Sequence, residues 1–235
     1  MNFTFYGHSC FSVEIKGTKL LFDPFITPNE LANKVVNADT VEADYILVSH
    51  GHADHTADLV SIAKRTGAKV VCNYEIYEWL GKQGVTNVHP MNTGGKWNFG
   101  DFAVKMVVAQ HSSGLPDGSY GGNPVGFIVT SEAGNFYYSG DTALTLDMQL
   151  VPTWAELNFA VLPIGSNFTM DVEDAVRCAA MIKCQQIIGV HYDTFGYIKI
   201  DQAAAKKAFA DTSCVLHLPK IGETVDMKNQ KGFTR

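Results

Sequence analysis

The segment Ser49-His50-Gly51-His52-Ala53-Asp54-His55 packs four metal-competent side chains into six residues. It follows Asp44-Tyr45-Ile46-Leu47-Val48, a continuous apolar run suited to a fully buried strand. It precedes a helical pattern in which Leu59, Val60, Ile62 and Ala63 recur, ended by Lys64-Arg65-Thr66-Gly67. The segment therefore sits where a strand leaves a sheet, a position well placed for a site. In extended or turning backbone, His50 and His52 point the same way because side chains alternate. Asp54 and His55 come after the chain has begun to turn and face a second point nearby. Neutral imidazoles and carboxylate oxygens suit zinc, and also manganese, iron or nickel. The bland alternative is a solvated loop that happens to hold histidines. The chain has eight histidines, and three of them stand here beside an aspartate, which argues against chance.

The rest of the chain reads as two rounds of strands followed by α/β units. Strands are expected at 2–7, 10–16 and 18–23, separated by Gly7-His8 and Lys16-Gly17-Thr18 and stopped by Asp23-Pro24-Phe25. Residues 26–42 form a long polar loop. After the 44–48 strand and the following helix come a strand at 69–72, a helix to Lys82, and strands between 87 and 109. Residues 110–124, rich in glycine, serine and proline, form a second long loop. Strands at 125–131 and 135–140 are followed by a helix near 147–155 and a strand at 159–163. A helix near 171–182, a strand at 186–190, a helix near 201–210 and strands at 214–218 and 224–226 complete the order. One domain spanning 1–235 buries such a pattern as an α/β sandwich of four layers, αββα, with two mixed β-sheets face to face and helices outside.

Composition bounds the partners. The formal net charge of −6 opposes unaided nucleic-acid binding, which needs a basic footprint. No run approaches the roughly 20 apolar residues of a membrane span, and no signal peptide is expected ahead of the first strand. Cys10, Cys72, Cys178, Cys184 and Cys214 are odd in number, scattered and without a CxxC, so they read as buried free thiols in a reducing cytoplasm. Homo-oligomerisation is left open.

His50-Gly51-His52-Ala53-Asp54-His55 matches the HxHxDH signature of the metallo-β-lactamase superfamily, and the chain resembles that family in order throughout. Gln110-His111-Ser112, Ser139-Gly140-Asp141-Thr142 and Gly189-Val190-His191-Tyr192 each follow a strand where the family places a histidine, a GD[TS] aspartate and a last histidine. The resemblance implies one divalent ion on His50, His52 and His111, a second on Asp54, His55 and His191, and Asp141 bridging both. Zinc comes first, with manganese, nickel or iron as alternatives. Gly7-His8-Ser9-Cys10-Phe11, Asp23-Pro24-Phe25, Asn167-Phe168-Thr169-Met170 and His191-Tyr192-Asp193-Thr194-Phe195 resemble the small bacterial metal-dependent hydrolase branch. That branch is akin to the ascorbate-6-phosphate lactonases and the N-acyl-phosphatidylethanolamine phospholipase D group. Its pattern departs at Ser166, where aspartate is expected, and at Asp171, where glycine is expected.

The resemblance implies a hydrolase in which paired ions activate water against an ester-like bond of a small molecule, whether lactone, thioester or phosphodiester. Asp54 and Asp141 are the catalytic carboxylates. His8 is weighed evenly between a residue near the metals, acting on substrate or orienting a ligand, and a structural histidine. Asp23 is weighed in the same way as a partner that orients a ligand. His8, Asn167 and Tyr192 are candidate substrate contacts, and His8 or Tyr192 a candidate proton donor. Phe25, Tyr120, Phe168, Phe195 and Tyr197 are candidate cleft aromatics, with walls drawn from 26–42, 112–123, 166–171 and 192–198. His89 and His217 read as ordinary. Two other readings stand beside the hydrolase: an iron-dependent oxidoreductase on the same fold, and a non-catalytic metal-binding protein. Flavodiiron oxidoreductases carry glutamate where His52 stands, which favours hydrolysis.

Overall fold

The computed structural model describes residues 1–227. Its strands are β1 (Asn2–Gly7), β2 (Cys10–Ile15), β3 (Thr18–Phe22), β4 (Tyr45–Leu47), β5 (Lys69–Cys72), β6 (Val88–Pro90) and β7 (Lys96–Asn98). They continue with β8 (Phe102–Val108), β9 (Val125–Ser131), β10 (Gly134–Tyr138), β11 (Phe159–Pro163), β12 (Gln186–Val190), β13 (Val215–His217) and β14 (Thr224–Asp226). The helices are α1 (Ala53–Thr56), α2 (Leu59–Thr66), α3 (Tyr74–Lys82), α4 (Val151–Trp154), α5 (Val172–Met181) and α6 (Gln202–Ala210).

Two seven-stranded mixed sheets form, in the orders β14-β1-β2-β3-β4-β5-β6 and β13-β12-β11-β10-β9-β8-β7. Each has an antiparallel half, built from hairpins, and a parallel half, built from crossovers. The hairpin runs alternate apolar and polar residues, as in β1 with its alternating burial. The central parallel strand β11, Phe159–Pro163, is buried along its whole length, as a strand covered on both faces must be.

Three apolar clusters define four layers. Phe3, Phe11 and Phe22 of the first sheet meet Phe127, Phe136 and Phe159 of the second in the central core. Ile62, Ile76 and Leu80 from α2 and α3 cover the outer face of the first sheet. Ala175, Ala179 and Phe209 from α5 and α6 cover the outer face of the second. The expected αββα sandwich is therefore present.

Element boundaries fall within a few residues of those expected, with one reshaping. The helix expected near 147–155 is a 3₁₀ turn at Leu146–Leu150 followed by the single turn α4. Pro152 sits at its first turn, where a missing N–H is tolerated, but the ring prevents one continuous α-helix from running through. The departure at Asp171 also has a local reason. Its carboxylate caps α5 by accepting from the Asp174 amide at 2.8 Å, which glycine has no side chain to do.

Phe136 stacks on Phe159 at 4.9 Å between ring centroids, with both rings fully buried. Phe136→Ala is expected to cost about 3–5 kcal/mol of unfolding free energy, lost contact plus cavity, read as a lower urea midpoint at unchanged slope.

Candidate metal centre

Every strand that delivers a site residue does so from its C-terminal end, and all of these ends open on one edge of the sandwich. In the first sheet β1 and β3 run together, each antiparallel to β2, and β4 is parallel to β3. They release His8, Asp23 and the His50–His55 segment. In the second sheet β8 and β10 flank β9 in antiparallel fashion, while β11 and β12 are parallel to β10. They release His111, Asp141, the 165–170 loop and His191.

The His50–His55 segment turns as its pattern implies, with α1 beginning at Ala53 and His52 as its N-cap. The Thr56 hydroxyl donates to the His52 carbonyl at 3.0 Å and holds that turn. Ser113 accepts from the Gly51 amide at 3.0 Å, tying the segment to the 110–124 loop. The Thr142 hydroxyl accepts from the Gln110 amide at 2.9 Å and so joins the arms carrying His111 and Asp141. Gly140, at φ +64°, is the residue that lets Asp141 turn inward. A Cβ there would lie 2.5 Å from the Val125 carbonyl oxygen.

Among the described residues three groups of close-set donors result, one of them Asp23, His50 and His55 and the other two nearer the cleft. His50, His52 and His111 each offer a ring nitrogen, all within 4.8 Å of one another. His8, Asp54, His55 and His191 form a second such group. Asp141 Oδ2 stands between them, 2.9 Å from His191 Nε2, 3.2 Å from His55 Nε2 and 3.8 Å from His111 Nε2. All seven residues singled out as ligands thus converge.

The electrostatics fit cations. Burial, helped by His55, holds the His50 imidazole well below its ordinary pKa, and burial does the same more weakly to His52 and His111. These rings are neutral, the form in which imidazole ligates. Burial opposes charge on Asp141, but His191 and His55 outweigh it and hold the carboxyl well below its usual range. Burial likewise opposes charge on His55, yet Asp141, Asp23 and Asp54 keep its pKa well above the ordinary value. Among the described residues, no Lys or Arg lines the cleft above these carboxylates. Buried charge of this kind is paired or coordinates a metal. His55 Nε2 and Asp141 Oδ1 are also buried without a hydrogen-bond partner. Such orphans are what a coordinated ion satisfies, so the donor set fits the divalent ions that the motif implies.

Asp23 shapes both groups. Its buried carboxylate accepts from His55 Nδ1 at 2.8 Å, the Ser49 amide at 2.8 Å, the Ser49 hydroxyl at 2.6 Å and the Tyr138 hydroxyl at 2.6 Å. Ser49 Oγ in turn lies 2.9 Å from His50 Nδ1. With its proton given to Asp23, Ser49 accepts from His50. Direct contact with His55 and relayed contact with His50 put a proton on Nδ1 of each ring and turn Nε2 toward the site. The roles of Ser49 and Tyr138 carry no signal in a single sequence.

The backbone is strained around the same point. Of nine described non-glycine residues with positive φ, six surround the site: His8, Asp23, Ser166, Asn167, His191 and Asp193. Strain of this kind persists where surrounding structure over-determines it, and it gathers at functional sites.

Other expected residues fall differently. His8 is 2% exposed and does not line the cleft. Its Nε2 lies 3.0 Å from Asp54 Oδ2 and its Nδ1 3.0 Å from the Thr194 hydroxyl. Burial, then His191, push its pKa down to about 4. Direct substrate contact by His8 is therefore replaced by a hold on Asp54. Tyr192 packs against the outer core of the second sheet instead of the cleft, because successive side chains alternate and His191 takes the inward direction. Asn167 occupies a left-handed turn, and its neighbour Phe168 lines the cleft in its place. Of the expected aromatics, Phe168, Phe195 and Tyr197 line the cleft. Phe25 is buried behind Phe195, with ring centroids 6.3 Å apart, and Tyr120 bonds Asn123 away from the cleft. His89 lies tilted against Trp97, with ring centroids 4.9 Å apart, and His217 pairs with Gln186, both outside the centre.

A family model described as the beta-lactamase superfamily domain matches residues 18–192. A UPF0173 metal-dependent hydrolase of Flavobacterium johnsoniae is 49% identical over 97% of this chain and 100% of its own. The chain belongs to the metallo-β-lactamase superfamily and, within it, to the UPF0173 metal-dependent hydrolases. This superfamily member is also 39% identical to the UPF0173 metal-dependent hydrolase YtkL of Bacillus subtilis, over 97% of this chain and 100% of that one. Among solved structures it is similar to Igni18, a metallo hydrolase of Ignicoccus hospitalis. The TM-score is 0.86 at 30% identity, covering 95% of this chain and 97% of that one.

Asp23→Ala frees both oriented rings. Metal affinity is expected to fall about 10- to 100-fold, measured by competition with a chromophoric chelator, and Tyr138→Phe is expected to cost less.

Proposed function

We propose that the protein, as one domain, is a dinuclear metal hydrolase that activates water for attack on an ester-like bond of a small molecule. The observation that carries this reading is the placement of Asp141 Oδ2 between the two ligand groups, close to His191, His55 and His111. His50, His52 and His111 would hold one ion, and Asp54, His55 and His191 would hold the other, with Asp141 shared. When bound, two divalent ions supply Lewis acidity and lower the pKa of water toward neutrality.

The chain's own residues do the rest. Asp54 stands at the floor of the cleft and is 26% exposed in its side chain, so it meets both ligand atoms and solvent. Its carboxylate, held by His8, is positioned to accept a hydrogen bond from water entering the cleft and so orient it. His8, pinned between Asp54 and Thr194, keeps that carboxylate in one orientation. Asp141, only 2% exposed at the cleft floor, serves as a fixed negative charge between the imidazoles.

Zinc fits a site of imidazoles and carboxylates without thiolate, and manganese, nickel or iron share these preferences. The five cysteines are buried and free, which supports a cytoplasmic protein. No described helix is long and apolar enough to cross a membrane. The cationless cleft supports a small-molecule substrate over nucleic acid.

Elemental analysis is expected to give about two divalent ions per chain, with hydrolysis of esters, lactones or thioesters abolished by chelation and restored by zinc or manganese. Asp141→Ala is expected to lose both ions and activity. His52→Ala is expected to lose one ion and most activity; full metal and activity in that variant would remove it from the ligand set. Two iron ions with no hydrolysis would point instead to an oxidoreductase.

A further inference from the structure

The cleft above the centre has a volume of about 830 Å³, far more than a reacting ester group fills. Its floor is His52, Asp54, His111, Asp141 and His191. Its walls have a different chemistry. Phe168, from the loop after β11, and Tyr197, from the loop after β12, approach edge to face at 6.4 Å between centroids. Phe168 is 51% exposed and Tyr197 80%, and Phe195 stands partly exposed beside them. Pro28 extends the apolar surface from the opposite loop. Large aromatics left in water around a concave site mark a surface kept for a partner or ligand.

Charge narrows that ligand. Glu30, on the same loop as Pro28, is exposed and is, among the described residues, the one charged wall residue above the floor. Ions bound at the floor would more than offset Asp54 and Asp141, whereas Glu30 forms no ion pair among the described residues. An anionic substituent reaching out of the floor therefore meets a like charge and aromatic faces, with no Lys or Arg among the described residues lining the cleft to receive it.

We propose that the substrate's portion beyond the scissile bond is apolar and uncharged, so that this cleft selects alkyl- or aryl-substituted esters, lactones or thioesters over phosphorylated or carboxylated ones. The inference rests on the hydrolase reading and adds the substrate class. The reacting carbonyl lies at the floor, and the alkyl or aryl group lies against Phe168, Phe195 and Tyr197. Phe195 also packs on His8, with ring centroids 5.2 Å apart, so the aromatic wall is anchored to the residue that holds Asp54.

The test uses the zinc-loaded full chain and two esters that differ only at the far end: p-nitrophenyl hexanoate and mono-p-nitrophenyl adipate. The hexanoate is expected to have about tenfold higher kcat/KM, a gap that shrinks at high salt and in Glu30→Gln. Phe168→Ala and Tyr197→Ala are expected to raise KM several-fold more for the hexanoate than for p-nitrophenyl acetate, at unchanged metal content. Calorimetric binding of hexananilide against adipic acid monoanilide reads the same preference without turnover. Equal or better use of the adipate, or equal anilide binding, overturns the inference and leaves the hydrolase standing. Hexananilide bound preferentially with no ester, lactone, thioester or phosphodiester turned over leaves the cleft's selectivity standing and overturns the hydrolase reading.

Discussion

One buried carboxylate ties the two sheets together at the place where the chemistry gathers. Asp23 leaves the first sheet at the end of β3 and receives the Tyr138 hydroxyl from β10 of the second. It also receives Ser49 and His55 from the segment that follows β4. An unpaired carboxylate at zero exposure would be costly. With four donors it instead becomes a rigid joint, at which a left-handed backbone turn is tolerated. Because Ser49 relays the contact to His50, the same joint sets ring orientation in both ligand groups. Disturbance at Asp23 thus reaches the sheet interface and the metal centre together.

Above that joint, the centre concentrates negative charge in a place that water scarcely reaches. Asp141 is 2% exposed, and the rings around it are driven in opposite directions. His50 is held neutral by burial, while the carboxylates outweigh burial at His55. A proton on His55 offsets only part of this charge, and orphaned atoms remain on His55 and Asp141. A coordinated metal ion would answer both problems at once, by charge and by coordination. The left-handed backbone at His8, Asp23 and His191 is held by the same packing that turns these residues inward.

The site is thus layered by polarity. Carboxylates and imidazoles form the floor, and aromatic side chains from two loops form the wall, with Glu30 at the rim. The loops are set by short links to the scaffold. Asp58 accepts from the Ile26 and Thr27 amides at the start of the 26–42 loop. Asp193 accepts from the Ile200 amide and closes the loop that carries Phe195 and Tyr197. Gly165 lets the 165–170 loop pass close to that one, since a Cβ there would lie 2.0 Å from the His191 carbonyl oxygen.

The sequence by itself determined the strands, the order of the α/β units and the seven ligand candidates. Their signals are local: alternation sets the strands, glycine and proline set the stops, and His50–His55 carries its motif in one short segment. It also offered Asp23 and His8 as candidates without fixing what they touch. Only the tertiary structure decided that His8 grips Asp54 from below, that Tyr192 turns away from the cleft, and that Phe168 stands where Asn167 was expected to act. The joining of Ser49 and Tyr138 on Asp23 was equally invisible. Each of these depends on which way a side chain points at a turn between distant strands. That direction is set by left-handed backbone at single residues and by partners more than a hundred positions away, such as Thr194 for His8 and Tyr138 for Asp23. No local pattern in the chain encodes such a pairing.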